Sequence, residues 1–249
     1  MATVIGSPPG RSTATTAGHG RRSRSAAPSG SGGFGTLRAC RTWSLGDAIR
    51  ARRMLRTYDP DRPVPDDVVG RLLDHATRAP SAGFTQGWDL LVLRTDADRD
   101  LFWRTTAGDG EMGPWLRGLS SAPLLVVCWS DPERYLDRYA EPDKGWTDRS
   151  PDNWPVPYWD VDTGMAALLM LLTAVDAGLG GCFFGVPGAR HDAVRAAFGV
   201  PANRRPVGVV SVGYPPADRP DRRSPSLRRG RRPLAEVVHD GRFDTPWGG

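Results

Sequence analysis

Three arginines are grouped near the start of the main part of the chain, where Arg52, Arg53 and Arg56 fall within five residues. Arginine carries a permanent charge on a planar fork that can hold two oxygens of one phosphate group. This density of positive charge suits a phosphate monoester ligand. A short run of arginines taken alone is more often a solvated helix face, so the interpretation depends on what accompanies it.

A second segment that could bind a ligand runs from Arg78 to Trp88, with a helix ending at Pro80. Its small residues, Ser81, Ala82 and Gly83, let the backbone approach a flat ligand closely. Taken alone, such a stretch is most simply a loop between a helix and a strand. The two segments are joined by one amphipathic helix, and their occurrence together favours a ligand with both a phosphate and a flat ring.

Motifs for other chemistries are missing. The glycine-rich run at 178–185 has Phe183 where the dinucleotide fingerprint needs glycine, and the only lysine, Lys144, lies outside a GK[ST] context. Ser81 lies between a helix and a strand, the reverse of the order that a nucleophile elbow requires. The four histidines show no metal spacing. We therefore expect no catalytic side chain and no metal, so a cofactor would have to carry the chemistry.

The sequence predicts the helices and strands that flank these segments. Ser44 can cap a helix that runs into the arginines, and Pro65 opens a second helix that stops before Pro80. Alternating or β-branched runs predict strands, and another apolar run predicts a late helix. The predicted strands are Trp88 to Arg94, Pro123 to Trp129, Cys182 to Val186 and Val207 to Val212, and the late helix is Asp192 to Phe198.

A stretch without charge, Thr163 to Val175, predicts one further helix, with Asp160 or Asp162 at its start. A helix that is apolar all round is buried in a core or an interface. We expect this one to be too short to cross a membrane, which needs about 20 residues. Four or five short strands with several helices make the chain an α+β protein.

Composition narrows the class of protein. The chain has 249 residues, of which 39% are hydrophobic, enough for a single domain with one core. Residues 1–40 contain five arginines and no acid, which accounts for the whole net charge of +5. We predict that 1–40 form a disordered tail and 41–249 the folded domain. The balanced domain argues against nucleic acid binding, and three scattered cysteines favour the reducing cytoplasm.

These segments, in this order, resemble the FMN-dependent nitroreductase family from about Ser44 to Phe243. Four elements carry the resemblance: RRxxR, APSxGxxQxW, the GLGxC turn with its strand, and a C-terminal basic-Pro-Leu element. In the family they hold the phosphate and ribityl chain, lie along the flavin ring, approach the flavin of the partner subunit, and close on the phosphate. The cofactor-binding residues that the resemblance implies are Arg52, Arg53, Met54, Arg56, Pro80, Ser81, Ala82, Gly83, Gln86, Gly185, Val186, Arg229 and Arg231.

The resemblance also implies a fold and an activity. The expected fold has a central, mostly antiparallel sheet flanked by helices, with the flavin at the interface of a homodimer. The expected activity is an FMN-dependent transfer of two electrons from NADH or NADPH to an electron-poor small molecule, such as a nitroaromatic, a quinone or an activated alkene. Neither nucleic acid nor a membrane is an expected partner.

Three residues depart from the family pattern. Met54 stands where many members have serine, Phe84 where many have asparagine, and Gly87 where many have proline. The Gly83-Phe84 pair is similar to the branch that fragments FMN to make the cobalamin lower ligand. That activity, a flavin-storage protein without turnover, and a partner-binding protein with a basic tail are the alternatives.

Overall fold

A four-stranded antiparallel sheet forms the core of the residues that the computed structural model describes, which are 44–107, 113–217 and 229–248. The strand order is β1-β2-β4-β3. The strands are β1 (Trp88–Leu93), β2 (Leu124–Ser130), β3 (Gly180–Phe184) and β4 (Arg205–Gly213). All four predicted strands are confirmed within two residues, and so is the α+β class. The predicted tail, residues 1–40, lies outside the described residues.

Eight α-helices accompany the sheet in the described ranges. They are α1 (Leu45–Ala51), α2 (Asp66–Ala76), α3 (Asp96–Ala107), α4 (Pro114–Ser120), α5 (Pro132–Tyr139), α6 (Tyr158–Asp176), α7 (His191–Phe198) and α8 (Leu234–Val237), with short 3-10 turns at Ala82–Phe84, Pro151–Asn153 and Gly188–Arg190. The predicted helix starts at Ser44 and Pro65 are confirmed. Ser44 Oγ accepts a hydrogen bond from the Asp47 N–H at 3.1 Å, which satisfies one of the free donors of the first turn.

The two faces of the sheet bury separate cores because side chains alternate along each strand. In β2, Leu124, Val126 and Cys128 pack against α2 and α6. The intervening Leu125, Val127 and Trp129 pack with Tyr58 and with side chains of α3, α4 and α7. Every residue of β2 is buried, as expected for a central strand covered on both faces.

Helix α6 differs from its prediction at its start and on one face. It begins at Tyr158 after Pro157, so the prediction that Asp160 or Asp162 starts it is wrong. Proline fixes a backbone angle that suits a helix entry, and Asp162 is instead buried inside the helix. The helix is also long and apolar enough to span a membrane by length and composition, contrary to the predicted short span. Half of its most apolar stretch is buried against the rest of the chain, and helices in protein cores have the same length and composition.

Candidate cofactor site

The arginine segment, residues 52–56, extends the sheet beyond β3. Arg52 caps the C-terminus of α1, and the chain then runs beside the strand. Met54 pairs with Gly181 in parallel orientation, and the Leu55 N–H donates to the Gly181 carbonyl at 2.9 Å. A side chain also holds the segment, because the buried Tyr58 hydroxyl donates to the Leu55 carbonyl at 2.6 Å. The arginines therefore lie on a backbone that is tied to the sheet.

Two glycines allow this close approach. A Cβ added to Gly180 would lie 2.6 Å from the Leu55 side chain, and one added to Gly118 on α4 would lie 2.3 Å from the Arg56 carbonyl. Real Cβ atoms do not approach other atoms that closely, so a side chain at either position would displace the arginine segment. The glycine-rich turn that the sequence singled out thus serves close packing against the arginines.

The three arginines have different surroundings. The Nη1 atom of Arg52 is buried and has no hydrogen bond partner among the residues that the structure describes. Arg53 is exposed and its Nη1 donates to the carbonyls of Arg50 and Arg52, at 2.6 and 2.8 Å. Arg56 is half-buried. A buried guanidinium nitrogen without a partner is costly, and a phosphate oxygen would satisfy it.

The charge of the arginine segment reaches the neighbouring strand. Burial raises the pKa of the Cys182 thiol, while the positive charges of Arg56 and Arg52 act in the opposite direction. These two guanidinium groups therefore create a positive potential at the edge of β3. An anion would be stabilised in the same potential.

The small-residue loop, residues 80–86, has an unusual backbone. Gly83, Phe84 and Gln86 have φ angles of 62°, 54° and 53°, which lie in the left-handed region. Glycine adopts that region freely, whereas a bulky residue does so only under constraint. Ser81 closes the loop by accepting hydrogen bonds, at its carbonyl from the Phe84 N–H and at Oγ from the Gln86 N–H.

Side chains from α5 and α6 hold this loop. Asp162 Oδ2 accepts from the Ala82 N–H at 2.8 Å and from the Tyr135 hydroxyl at 2.7 Å. Burial, together with this hydrogen bond to the carboxylate, raises the pKa of Tyr135. Arg138 Nε donates to the Gly83 carbonyl at 3.0 Å. No sequence pattern indicates these residues, because their contacts bridge parts of the chain that are distant in sequence.

The two segments lie on opposite edges of the sheet. The loop leads into β1 at one edge, whereas Met54 lies outside β3 at the other. Neighbouring strands are about 4.8 Å apart, so four steps place the strands that carry the two segments about 19 Å apart. Within one chain the structure does not bring together the two groups of residues that the sequence assigned to one site.

The remaining predicted residues also have defined places. Gly185 is exposed just after β3, and Val186 packs on the second core while its carbonyl accepts from His191 Nε2 at 3.1 Å. Arg229 and Arg231 are exposed on the C-terminal segment. Pro80 is exposed at the start of the small-residue loop. Within the described ranges, no group of three or more His, Cys, Asp or Glu side chains is placed to hold a metal ion.

An aromatic cluster lies beneath the small-residue loop. The Trp154 ring lies 4.6 Å from the Tyr139 ring and 5.3 Å from the Trp146 ring, measured between centroids, and it also packs edge-on against Tyr135. A Cβ added to Gly83 would lie 2.8 Å from the Tyr139 ring. The cluster therefore supports the loop by direct packing.

Comparisons with known proteins agree with this architecture. The family model described as the nitroreductase family matches residues 49–214. A provisionally named NADH dehydrogenase/NAD(P)H nitroreductase of Archaeoglobus fulgidus is 32% identical over 171 residues, which cover 67% of this chain and 83% of that protein.

Solved structures show the same fold. A nitroreductase family protein of Clostridium difficile 630 matches with a TM-score of 0.57 at 23% identity, covering 79% of this chain and 97% of its own. A provisionally named nitroreductase of Exiguobacterium sibiricum 255-15, solved in complex with FMN, matches with a TM-score of 0.54 at 19% identity, covering 76% of this chain and 97% of its own.

The antiparallel sheet, covered by helices and edged by the arginine segment, defines a nitroreductase fold, and the names of the relatives support an oxidoreductase. The chain belongs to the nitroreductase family. The family that the sequence resembled is confirmed, and so is the expected antiparallel sheet flanked by helices.

Proposed function

We propose that the protein is an FMN-dependent oxidoreductase that passes two electrons from NADH or NADPH to an electron-poor acceptor, such as a nitroaromatic, a quinone or an activated alkene. The observation that carries this proposal is the buried, unpartnered Nη1 of Arg52 beside the half-buried Arg56. An FMN phosphate would satisfy both arginines. The FMN complex of the Exiguobacterium protein and the NAD(P)H name of the Archaeoglobus protein support the choice of cofactor and donor.

The residues present fit FMN at several points. Arg52 and Arg56 would hold the phosphate, with Arg229 and Arg231 as further cations from the C-terminal segment. The exposed backbone at Gly185, where a Cβ would meet no atom within 4 Å, leaves room for the edge of a ring. FMN, when bound, supplies the two-electron chemistry, whereas the protein supplies orientation, a positive potential and a shaped acceptor pocket.

The separation of the two segments supports a site that two copies of the chain form together. A homodimer would place the small-residue loop of one copy against the arginine segment of the other, with a flavin between them. Exposed apolar side chains on α6 and α1 supply a surface for such contact, because they would otherwise face water. They are Val161, Met165 and Leu168 on α6 and Leu45 and Ile49 on α1.

Subunit mixing tests the shared site. Chains that carry Arg52→Met are combined, by refolding, with chains that carry Asp162→Asn, which weakens the small-residue loop. If the sites are shared, each mixed dimer contains one site with both halves intact and one with both halves altered. About half of the flavin binding of such dimers should therefore return. A monomeric protein in light scattering, or a mixture that binds no more flavin than its parents, would contradict the dimer. The wild-type protein refolded in the same way is the control.

The visible spectrum of the purified protein, followed by anaerobic addition of NADPH, tests the function. We expect flavin absorbance that bleaches on addition and returns when a quinone or a nitroaromatic is added. Bound flavin that stays oxidised with both NADH and NADPH would favour storage or flavin fragmentation. A colourless protein that does not bind added FMN would refute the proposed function.

A further inference from the structure

Phe84 combines two unfavourable properties at the tip of the small-residue loop. The residue is 77% exposed, and its φ of 54° lies in the left-handed region. Burying a phenyl ring would stabilise the fold, and an exposed ring makes no such contribution. A bulky residue in this backbone region is also strained. Neither property benefits the isolated chain, because Phe84 belongs to neither core cluster.

Contacts elsewhere in the loop impose the conformation. The Ala82 N–H is bonded to Asp162, the Gly83 carbonyl to Arg138, and the Phe84 N–H to Ser81. Thr85 Oγ1 also donates to the Ala82 carbonyl at 2.6 Å. These bonds fix the backbone on both sides of Phe84 without using its side chain. Strain that the surroundings over-determine is typical of ligand-contacting positions.

We propose that Phe84 determines ligand specificity by packing its ring against a planar, electron-poor ring, which belongs either to the flavin or to the acceptor that follows it. This inference rests on the proposed function. The phenyl ring has no hydrogen bonding group, so its contribution comes from area and stacking geometry, which favour flat aromatic partners. Polar or non-planar acceptors gain nothing from it.

The test uses the full-length protein and three variants, Phe84→Trp, Phe84→Leu and Phe84→Asn. Phe84→Trp keeps a ring, Phe84→Leu keeps apolar bulk without a ring, and Phe84→Asn tolerates the left-handed backbone best. Thermal unfolding of the cofactor-free protein measures folding. The quenching of flavin fluorescence measures the Kd for FMN. KM values are measured for a quinone and for ferricyanide, which has no planar ring.

We expect Phe84→Asn to unfold at the same or a higher temperature than the wild type, since strain is relieved. Phe84→Leu and Phe84→Asn should bind one ligand about three- to tenfold more weakly, whereas Phe84→Trp should not. A weaker Kd for FMN assigns the ring to the flavin. An unchanged Kd with a higher KM for the quinone but not for ferricyanide assigns it to the acceptor.

Two results would overturn the proposal. Unchanged Kd and KM values in all three variants would make Phe84 an inert surface residue. A lower unfolding temperature in Phe84→Leu and Phe84→Asn, with unchanged ligand binding, would make it a structural residue. In both cases the wild type still binds FMN, so the proposed function survives. A wild type that binds no FMN would refute the proposed function, and the specificity role of Phe84 with it.

Discussion

The arginine segment and the small-residue loop are held by different kinds of bonds. The first is tied by backbone pairing to β3 and by close packing over Gly180 and Gly118. The second is tied by side chains, above all Asp162 and Arg138, that reach it from α5 and α6. One edge of the sheet thus offers charge on a rigid backbone, and the other offers a shaped, apolar loop.

This difference separates two tasks of a site for a phosphorylated ring. A phosphate needs fixed positive charge, which a sheet edge can hold without further support. A flat ring needs surface at a defined angle, which a loop achieves only if its backbone is constrained from outside. We therefore expect changes at the arginine segment to affect the phosphate, and changes at the loop to affect the ring.

The largest effect is expected for Gly118→Ala, which attacks the packing of the arginine segment. The new Cβ would lie 2.3 Å from the Arg56 carbonyl oxygen. This is a backbone atom, so relieving the clash would require the main chain of the arginine segment to shift. We expect the free energy of unfolding, measured with urea, to fall by up to about 3 kcal/mol, and the purified protein to lose bound flavin.

Gly70→Ala is the matched control for that change. Gly70 is exposed in α2, and a Cβ there would meet no atom within 4 Å. Its free energy of unfolding should rise by up to about 1 kcal/mol, because alanine favours a helix. If the two variants behaved alike, the close packing of α4 on the arginine segment would be unimportant.

Arg52→Met separates phosphate from ring recognition. Removing a charge-assisted hydrogen bond should weaken FMN binding by about 10- to 100-fold. Riboflavin, which lacks the phosphate, should bind almost as it does to the wild type. Isothermal titration with both ligands gives the ratio, and Arg71→Met, at an exposed position of α2, is the control. An equal loss for both ligands would show that Arg52 shapes the site without contacting a phosphate.

The sequence predicted the fold better than it predicted the supports of the site. Strand positions followed from local apolar runs, and Ser44 and Pro65 marked helix starts through local backbone chemistry. The arginine segment was also visible, because its charges are adjacent in the chain. Asp162 was assigned to a helix start, since its bond to Ala82 spans 80 positions and leaves no local signal. The same holds for Tyr58, whose hydroxyl lies 2.7 Å from Ser211 Oγ across the core.

Asp162→Asn tests the loop half of the comparison. The amide replaces a charged acceptor for two hydrogen bonds, so the free energy of unfolding should fall by about 1 to 2 kcal/mol. FMN and riboflavin should lose affinity by the same factor, unlike the result for Arg52→Met. Hydrogen exchange at the Ala82 amide should accelerate, because its acceptor is weakened.

Asp160→Asn provides a control on the same helix. Asp160 Oδ1 accepts from Ser130 Oγ at 2.6 Å, and its other oxygen pairs with Arg205 at 3.2 Å, so its bonds lie outside the small-residue loop. Exchange at Ala82 should keep its wild-type rate in this variant. A discriminating loss of FMN but not riboflavin in Asp162→Asn would contradict the division of tasks.

The smallest effect is expected in the alkaline pH dependence of stability. The pKa of Tyr135 is raised by burial and by the Asp162 carboxylate, so the folded state keeps a proton that the unfolded chain loses near pH 10. Its stabilising contribution is therefore complete below about pH 10 and is lost above it, by at most about 1.4 kcal/mol per pH unit. Urea midpoints between pH 8 and 11 measure this slope, which Tyr135→Phe should flatten.

Two cysteine thiols with raised pKa values also contribute to that slope. Burial raises the pKa of Cys128 to about 12, so Cys128→Ala should flatten the slope in the same direction, beginning at lower pH. At Cys182 the charges of Arg56 and Arg52 oppose the effect of burial. Cys182→Ala should therefore flatten the slope less than it would without these charges, so its effect should be larger in an Arg52→Met background. If Cys182→Ala flattened the slope equally in the wild type and in the Arg52→Met background, the charge of Arg52 would not reach β3, and the positive potential on which a phosphate site depends would be missing there.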